Sequence, residues 1–327
     1  MFLDKIKAEE KINSLGKEGK DFVFLINYQM DKCLICHPTQ AKSLGLFYHF
    51  NGHSNWDFSQ TNQQPNLPQP IFIPPSLEKY SNCFSKVMSQ IQAGNTYLIN
   101  LCFRSKITNI VNFDDIMNHS TAQYKFLFQD QFISFSPETF VKIENGIIFT
   151  HPMKGTISAE NNLAKTQLMQ DQKELAEHYT IVDLLRNDLS ISANNVEVQK
   201  FRYLSKIQFG TRSLYQTSSE ISGILPRDYQ SHLGTILFNM LPAGSITGAP
   251  KLKTVKILKE VETFERGFYT GIAGIYSNGN LDSCVLIRFI EKEGENFYYK
   301  SGGGITFMSN VTDEYQELIE KIYVPFT

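Results

Sequence analysis

The chain has no long apolar run, no block of like charge, a single tryptophan and an odd five cysteines, and each shortage removes a class of protein. With 31 basic against 33 acidic residues the formal net charge is -2. No like-charged run reaches the length of a nucleic-acid arm, so nothing solicits DNA, RNA or anionic lipid. The opening MFLDKIKAEEKINSLGKEGK alternates charge with sparse apolar residues. It lacks the continuous apolar stretch of a signal peptide or membrane span, and a cytoplasmic location is expected. Cysteines at 33, 36, 83, 102 and 284, without an export signal, predict reduced thiols rather than disulfides. Cys33, Cys36 and His37 spell C-x-x-C-H, a haem-attachment string in exported proteins, and zinc would want four ligands at finger-like spacing. In the setting FVFLINYQMDKCLIC, packing inside a strand is the expected role. No internal repeat or low-complexity tract is visible.

What is present is 42% hydrophobic residues over 327 positions, enough for a substantial core. Residues 1–56 read as a short polar helix followed by strands around FVFLINY, KCLICH and LGLFYHF. The stretch SQTNQQPNLPQPIFIPP carries five prolines and suits an extended connector. The boundary is placed there, giving a β-rich segment with its connector over 1–77 and a main domain over 78–327. Beyond it, LEKYSNCFSKVMSQIQAGN has helical spacing and a stop at Gly94-Asn95, before the strand-like TYLINLCFRS. Asn145-Gly146 predicts a tight hairpin that delivers Lys154 just beyond a strand. A long helix is expected from about 159 to 187, with others near 228–240, 250–263 and 312–322. Strands pair with strands rather than through helical crossovers, so the class is α+β.

Several groups could carry chemistry. Glu174 and Glu177, and again Glu314 and Glu317, stand at i, i+3 spacing, which puts each pair on one helix face. Two such faces brought together would offer oxygen ligands suited to magnesium, whereas either pair alone reads as a solvated surface. Lys154, in THPMKGT, sits among apolar strands where desolvation disfavours the ammonium; a strand-end lysine facing water is the plainer reading. Glu138, in SFSPETF, is expected on the partner strand of the same hairpin and would complete an acid/base pair. Two glycine-rich strings, NMLPAGSITGAPKLK and KSGGGITFMSN, do not match the phosphate loop G-x-x-x-x-G-K-[ST]. They read either as sharp turns or as places where exposed amides approach a carboxylate, with Pro250 fitting a first helical turn. Arg288 and Tyr269 are polar tips in apolar segments, and Arg288 needs an anionic partner, internal or bound.

In order, SPETF, HPMKGT, KELAEH with IVDLLRNDL, PAGSITGAPK, RGFYTGIAG, DSCVLIRF, and GGGI with DEYQELIEK resemble the chorismate-utilising enzyme family over roughly residues 78 to 325. That family includes anthranilate synthase, isochorismate and salicylate synthases, and aminodeoxychorismate synthase component I. The resemblance implies a layered α/β/β/α architecture of large, mostly antiparallel packed sheets flanked by helices. Lys154 stands where aminodeoxychorismate synthases typically show lysine and anthranilate synthases alanine. The resemblance therefore implies that Lys154 adds to C2 of chorismate as the C4 hydroxyl leaves, protonated by Glu138, and that ammonia then enters at C4. It implies magnesium at Glu177 and Glu317, with Glu174 and Glu314 nearby or water-bridged. Tyr269 and Arg288 match residues that hold the enolpyruvyl carboxylate. Gly155, Thr156, Ser245, Gly303 and Gly304 match the ring-site lining.

Two departures stand out. Gln216, in LYQTSS, replaces a family histidine and cannot act as a general base. Leu98 replaces a family glutamine, and occupies the position where water-adding relatives carry lysine, which disfavours isochorismate or salicylate formation. The short N-terminal part implies no tryptophan inhibition. No glutaminase nucleophile is recognisable, so the resemblance implies a separate glutamine amidotransferase subunit, PabA-like, as the ammonia source. It also implies a separate pyridoxal-phosphate lyase completing p-aminobenzoate for folate. Anthranilate synthase component I and a non-catalytic chorismate-binding subunit are the alternatives.

Overall fold

A computed structural model describes residues 2–58, 70–109, 112–159, 163–209 and 212–324. Most of the proline-rich connector, residues 59–69, lies outside the described residues. The chain forms two compact units, each assembled from three segments. Met1–Pro38, Glu138–Ile246 and Thr270–Val285 make the first, and Thr39–Pro137, Thr247–Tyr269 and Leu286–Thr327 make the second. Among the described residues each unit contains one nine-stranded sheet, and the pairings between strands are antiparallel. This is the mixed helix-and-strand class expected from the sequence.

In the first unit, Phe22–Ile26 is buried along its whole length and pairs on one side with Cys33–Cys36 and on the other with Ile272–Ser277. Cys33 and Cys36 are both buried, and burial pushes their thiols up to about 12 and about 11. They pack in the strand, as an apolar run predicts. The turn at Asn145-Gly146 (φ 51° and 79°) joins Thr139–Glu144 to Ile147–Thr150, the left-handed pair a two-residue hairpin needs.

Three expectations along this unit and the next are corrected. Lys154 lies within a strand, Met153–Ser158, opposite Thr217, not beyond a strand's end; the register shifts between Lys154 and Thr156, where Gly155 has φ +72°. The helix expected over 159–187 is two, Ala164–Gln170 and Gln172–Ser190. Asp171 leaves the helical region (φ -65°, ψ 116°), and its carboxylate accepts the Glu174 N–H at 2.9 Å, capping the second helix. Gly302–Gly304 form no turn: they lie inside the strand Asn296–Thr306, opposite Cys102, Leu101 and Asn100.

In the second unit, helices Leu77–Gln92, Lys251–Val261 and Val311–Glu320 pack apolar faces against strands Leu98–Ile107 and Asn296–Thr306. Ser76 caps the first of these by accepting the Lys79 N–H, and the helix stops before Gly94 (φ +72°). The run DSCVLIRFIE is divided between two strands: Asn280–Val285 ends in the first unit and Phe289–Glu293 begins in the second. Arg288 stands between them at φ +50°, a left-handed backbone that a continuous strand cannot contain. Among the described residues no helix is long and apolar enough to cross a membrane.

Candidate active site

In the first unit the Gln172–Ser190 helix turns Glu177 and His178 inward, with Ile181, Leu184 and Leu185 continuing its buried face. Lys154 Nζ donates to Glu177 Oε2 at 3.2 Å, and Lys173 Nζ lies 3.9 Å from Oε1 of the same carboxylate. Gly155 is fitted closely to this helix. A Cβ there would stand 2.8 Å from Glu174 Oε2 and 2.9 Å from Leu168 Cδ1, and the positive φ already favours glycine. Lys154 and Gly155 thus face Glu177 and Glu174 respectively.

Strand Arg212–Ile224 fixes that arrangement through hydroxyls at alternate positions. Thr217 Oγ1 donates to the Lys154 carbonyl. Ser219 Oγ is 2.6 Å from His178 Nε2 and accepts the Arg202 N–H at 2.8 Å, while the Ser219 N–H bonds the Pro152 carbonyl at 3.0 Å. Burial, helped by Arg202 and Lys154, pushes His178 down to about 4, so the ring is neutral. Gln216 is half-buried, in register between Thr156 and Ser205.

Glu138 immediately precedes the strand Thr139–Glu144. Its Oε1 accepts from Ser245 Oγ at 2.5 Å. The two border a hollow of about 10 Å³, room for roughly one water molecule, closed by Thr150, His151, Pro152 and Leu185. Burial lowers the His151 imidazole below its ordinary range, against the pull of Glu220. Lys154 thus donates to Glu177, and Glu138 accepts from Ser245.

In the second unit, Gly303 is open on the side of the Val311–Glu320 helix: a Cβ there would meet only Glu314 Oε2 at 3.9 Å and Lys321 Nζ at 4.0 Å. Glu314 is 2% exposed. Lys321 Nζ bonds Glu317 Oε1 at 2.5 Å and the Gly302 carbonyl at 3.3 Å. Arg266 braces the strand beneath through Glu262 (2.6 and 2.9 Å) and the Asn100 carbonyl (2.8 Å), and Glu262 also accepts the Cys102 N–H at 3.0 Å. Tyr269 is buried, which raises its phenol well above the usual value. Arg288 lies 5.0 Å from the Tyr323 ring, and its Nε is buried without a hydrogen-bond partner among the described residues. Burial works against its charge, but Tyr323, Tyr299 and Tyr269 outweigh it and hold the guanidinium above its ordinary value. A buried, unpaired guanidinium donor is the group a bound carboxylate satisfies.

Each acidic pair expected from the sequence stays on one helix, with Glu174 and Glu177 in the first unit and Glu314 and Glu317 in the second. Among the described residues no three His, Cys, Asp or Glu side chains gather into one metal group. The donor chemistry fits a hard cation all the same: oxygen ligands, Glu177 and Glu314 largely out of water, and Glu177 and Glu317 each matched by a lysine ammonium. Lys173, Thr217, Ser219 and Lys321 were not singled out from the sequence. Lys321 carried a signal, standing four residues after Glu317; the two hydroxyls on the strand carried none.

The description "chorismate binding enzyme" belongs to a family whose profile matches residues 8–326, and the chain belongs to that family. It is a chorismate-utilising enzyme of the group that contains the anthranilate and aminodeoxychorismate synthases. A protein of Pasteurella multocida named as an uncharacterized PabA-like protein is 45% identical over 320 residues, 97% of each chain. Aminodeoxychorismate synthase component 1 of Escherichia coli is 30% identical over 260 residues, covering 75% of this chain and 56% of that one. The crystal structure of anthranilate synthase component I from Streptococcus pneumoniae superposes with a TM-score of 0.67 at 28% identity, covering 80% of this chain and 60% of that one.

Proposed function

We propose that the chain aminates chorismate to 4-amino-4-deoxychorismate, the activity of aminodeoxychorismate synthase component I. The observation that carries this reading is Lys154, a largely buried lysine whose Nζ lies 3.2 Å from Glu177. Its amine adds to C2 of the ring while the C4 hydroxyl departs as water, protonated by Glu138; ammonia then bonds to C4 and expels the lysine. Ser245 holds Glu138 for that transfer. Tyr269 and Arg288 bind the enolpyruvyl carboxylate, and Gly155, Thr156, Gly303 and Gly304 line the ring site. Glu177 and Glu317, supported by Glu174 and Glu314, would hold Mg²⁺, which when bound neutralises the ring carboxylate. Residues 78–327 form the catalytic part in this reading, preceded by the β-rich segment and connector of 1–77.

Ammonia comes from glutamine through a separate amidotransferase subunit, and the product passes to a lyase that forms p-aminobenzoate for folate, all in the cytoplasm. The test is a product assay with chorismate, ammonium and Mg²⁺, with and without an amidotransferase and glutamine. Aminodeoxychorismate, convertible to p-aminobenzoate by a lyase, supports the reading. Direct appearance of anthranilate fluorescence overturns it.

A further inference from the structure

The Glu177 carboxylate is shared between two lysines of its own unit. Lys154 Nζ holds Oε2 at 3.2 Å and Lys173 Nζ faces Oε1 at 3.9 Å, so each oxygen already has a cation. The Glu177 and Lys154 side chains are only 9% and 18% exposed. At that depth charge interactions are strong and a carboxylate left without a cation is costly, so a lysine there is not idle decoration. The backbone beneath Lys154 is fixed by the Thr217 hydroxyl on its carbonyl and by the shift of register at Gly155, so displacing the amine is a movement of the four-carbon side chain alone.

We infer that Lys154, with Lys173 on the second oxygen, is a counter-ion of Glu177, and that a divalent ion binding at Glu177 displaces it. Metal loading and release of the Lys154 amine from its carboxylate are then one event. This rests on the reading above that Glu177 is a metal ligand. It adds that the lysine and the metal compete for one carboxylate, so the amine is presented only when the metal is in place.

Binding of Mn²⁺ to the full chain without substrate, followed by electron paramagnetic resonance at fixed pH, tests this. Lys154→Met is expected to tighten Mn²⁺ binding about tenfold, Lys173→Met about threefold, and Lys154→Arg, which keeps the competing charge, less than about threefold. Circular dichroism checks that each variant folds, and Lys173→Met, on the helix surface, decides the matter if Lys154→Met does not. Unchanged or weaker binding in the folded methionine variants, or equal tightening in Lys154→Arg and Lys154→Met, overturns the inference. Glu177→Gln separates the two levels. If it leaves Mn²⁺ affinity unchanged, the metal assignment itself fails and the inference with it; if it abolishes binding while the lysine variants do not tighten it, the inference alone fails.

Discussion

Ser245 and Glu138 are joined by a 2.5 Å hydrogen bond at the edge of a hollow with room for one water molecule. The two residues lie more than a hundred positions apart, and the contact sets where the Glu138 carboxyl points. Ser245→Ala removes the donor while leaving the small cavity otherwise intact. The expected result is a fall of about tenfold in kcat, less than loss of the acid itself would cause, with the melting temperature nearly unchanged. Steady-state kinetics beside a thermal melt check both parts.

Gly155 combines a left-handed backbone with a close approach to Glu174, whereas Gly279 has φ +80° and nothing within 4 Å of its missing Cβ. Both substitutions to alanine pay the backbone cost of about 1 kcal/mol. Gly155→Ala adds the displacement of Glu174 and Leu168, for a total of about 2–3 kcal/mol. Urea unfolding of the two variants side by side measures the difference, and Gly279→Ala is expected to keep full activity.

Arg288 offers a buried Nε that has no hydrogen-bond partner among the described residues, beside the Tyr323 ring. Lysine carries the charge but not the planar fork. Arg288→Lys is expected to raise the KM for chorismate about 10- to 100-fold with a smaller change in kcat. A kcat loss with unchanged KM would place Arg288 away from the substrate.

Lys125 takes no part in the proposed chemistry and is 5% exposed, its Nζ donating to the Met117 carbonyl at 2.8 Å. Burial pushes it down to about 8, from 10.5 in the unfolded chain. Between those values the unfolded state binds more protons, so stability rises with pH across that window, and the cost of the buried charge is fully present below about 8. Lys125→Met is therefore expected to gain about 2 kcal/mol over the native chain at pH 7, a gain that shrinks as pH approaches 10.5. Chemical denaturation at a series of pH values reads it directly.

The residues that repeat with a period were legible in the sequence, and those defined by backbone geometry were not. Helices Leu77–Gln92, Lys251–Val261 and Val311–Glu320 follow from apolar spacing, the first and last with side-chain caps at Ser76 and Asn310, and the Asn145-Gly146 hairpin from turn chemistry. Asp171 was hidden because a capping aspartate inside a long polar helix looks like another surface acid. Arg288 at φ +50° and the strand setting of the Asn296–Thr306 glycines were hidden for a related reason: composition does not distinguish a turn from a strand that must let a neighbour come close. Within the site, the i, i+3 spacing of the acidic pairs put each on one helix, as found. The Ser245–Glu138 and Ser219–His178 contacts join distant segments, and no local pattern announces them.

The central claim is that Lys154 bonds to chorismate. Peptide mass spectrometry of the protein incubated with chorismate and Mg²⁺, without ammonia, tests it most directly. The account predicts an increase equal to chorismate less one water on the peptide carrying Lys154, absent from Lys154→Ala and discharged as aminodeoxychorismate when ammonium is added. An unmodified Lys154, together with a Lys154→Ala variant that still forms aminodeoxychorismate, would contradict it.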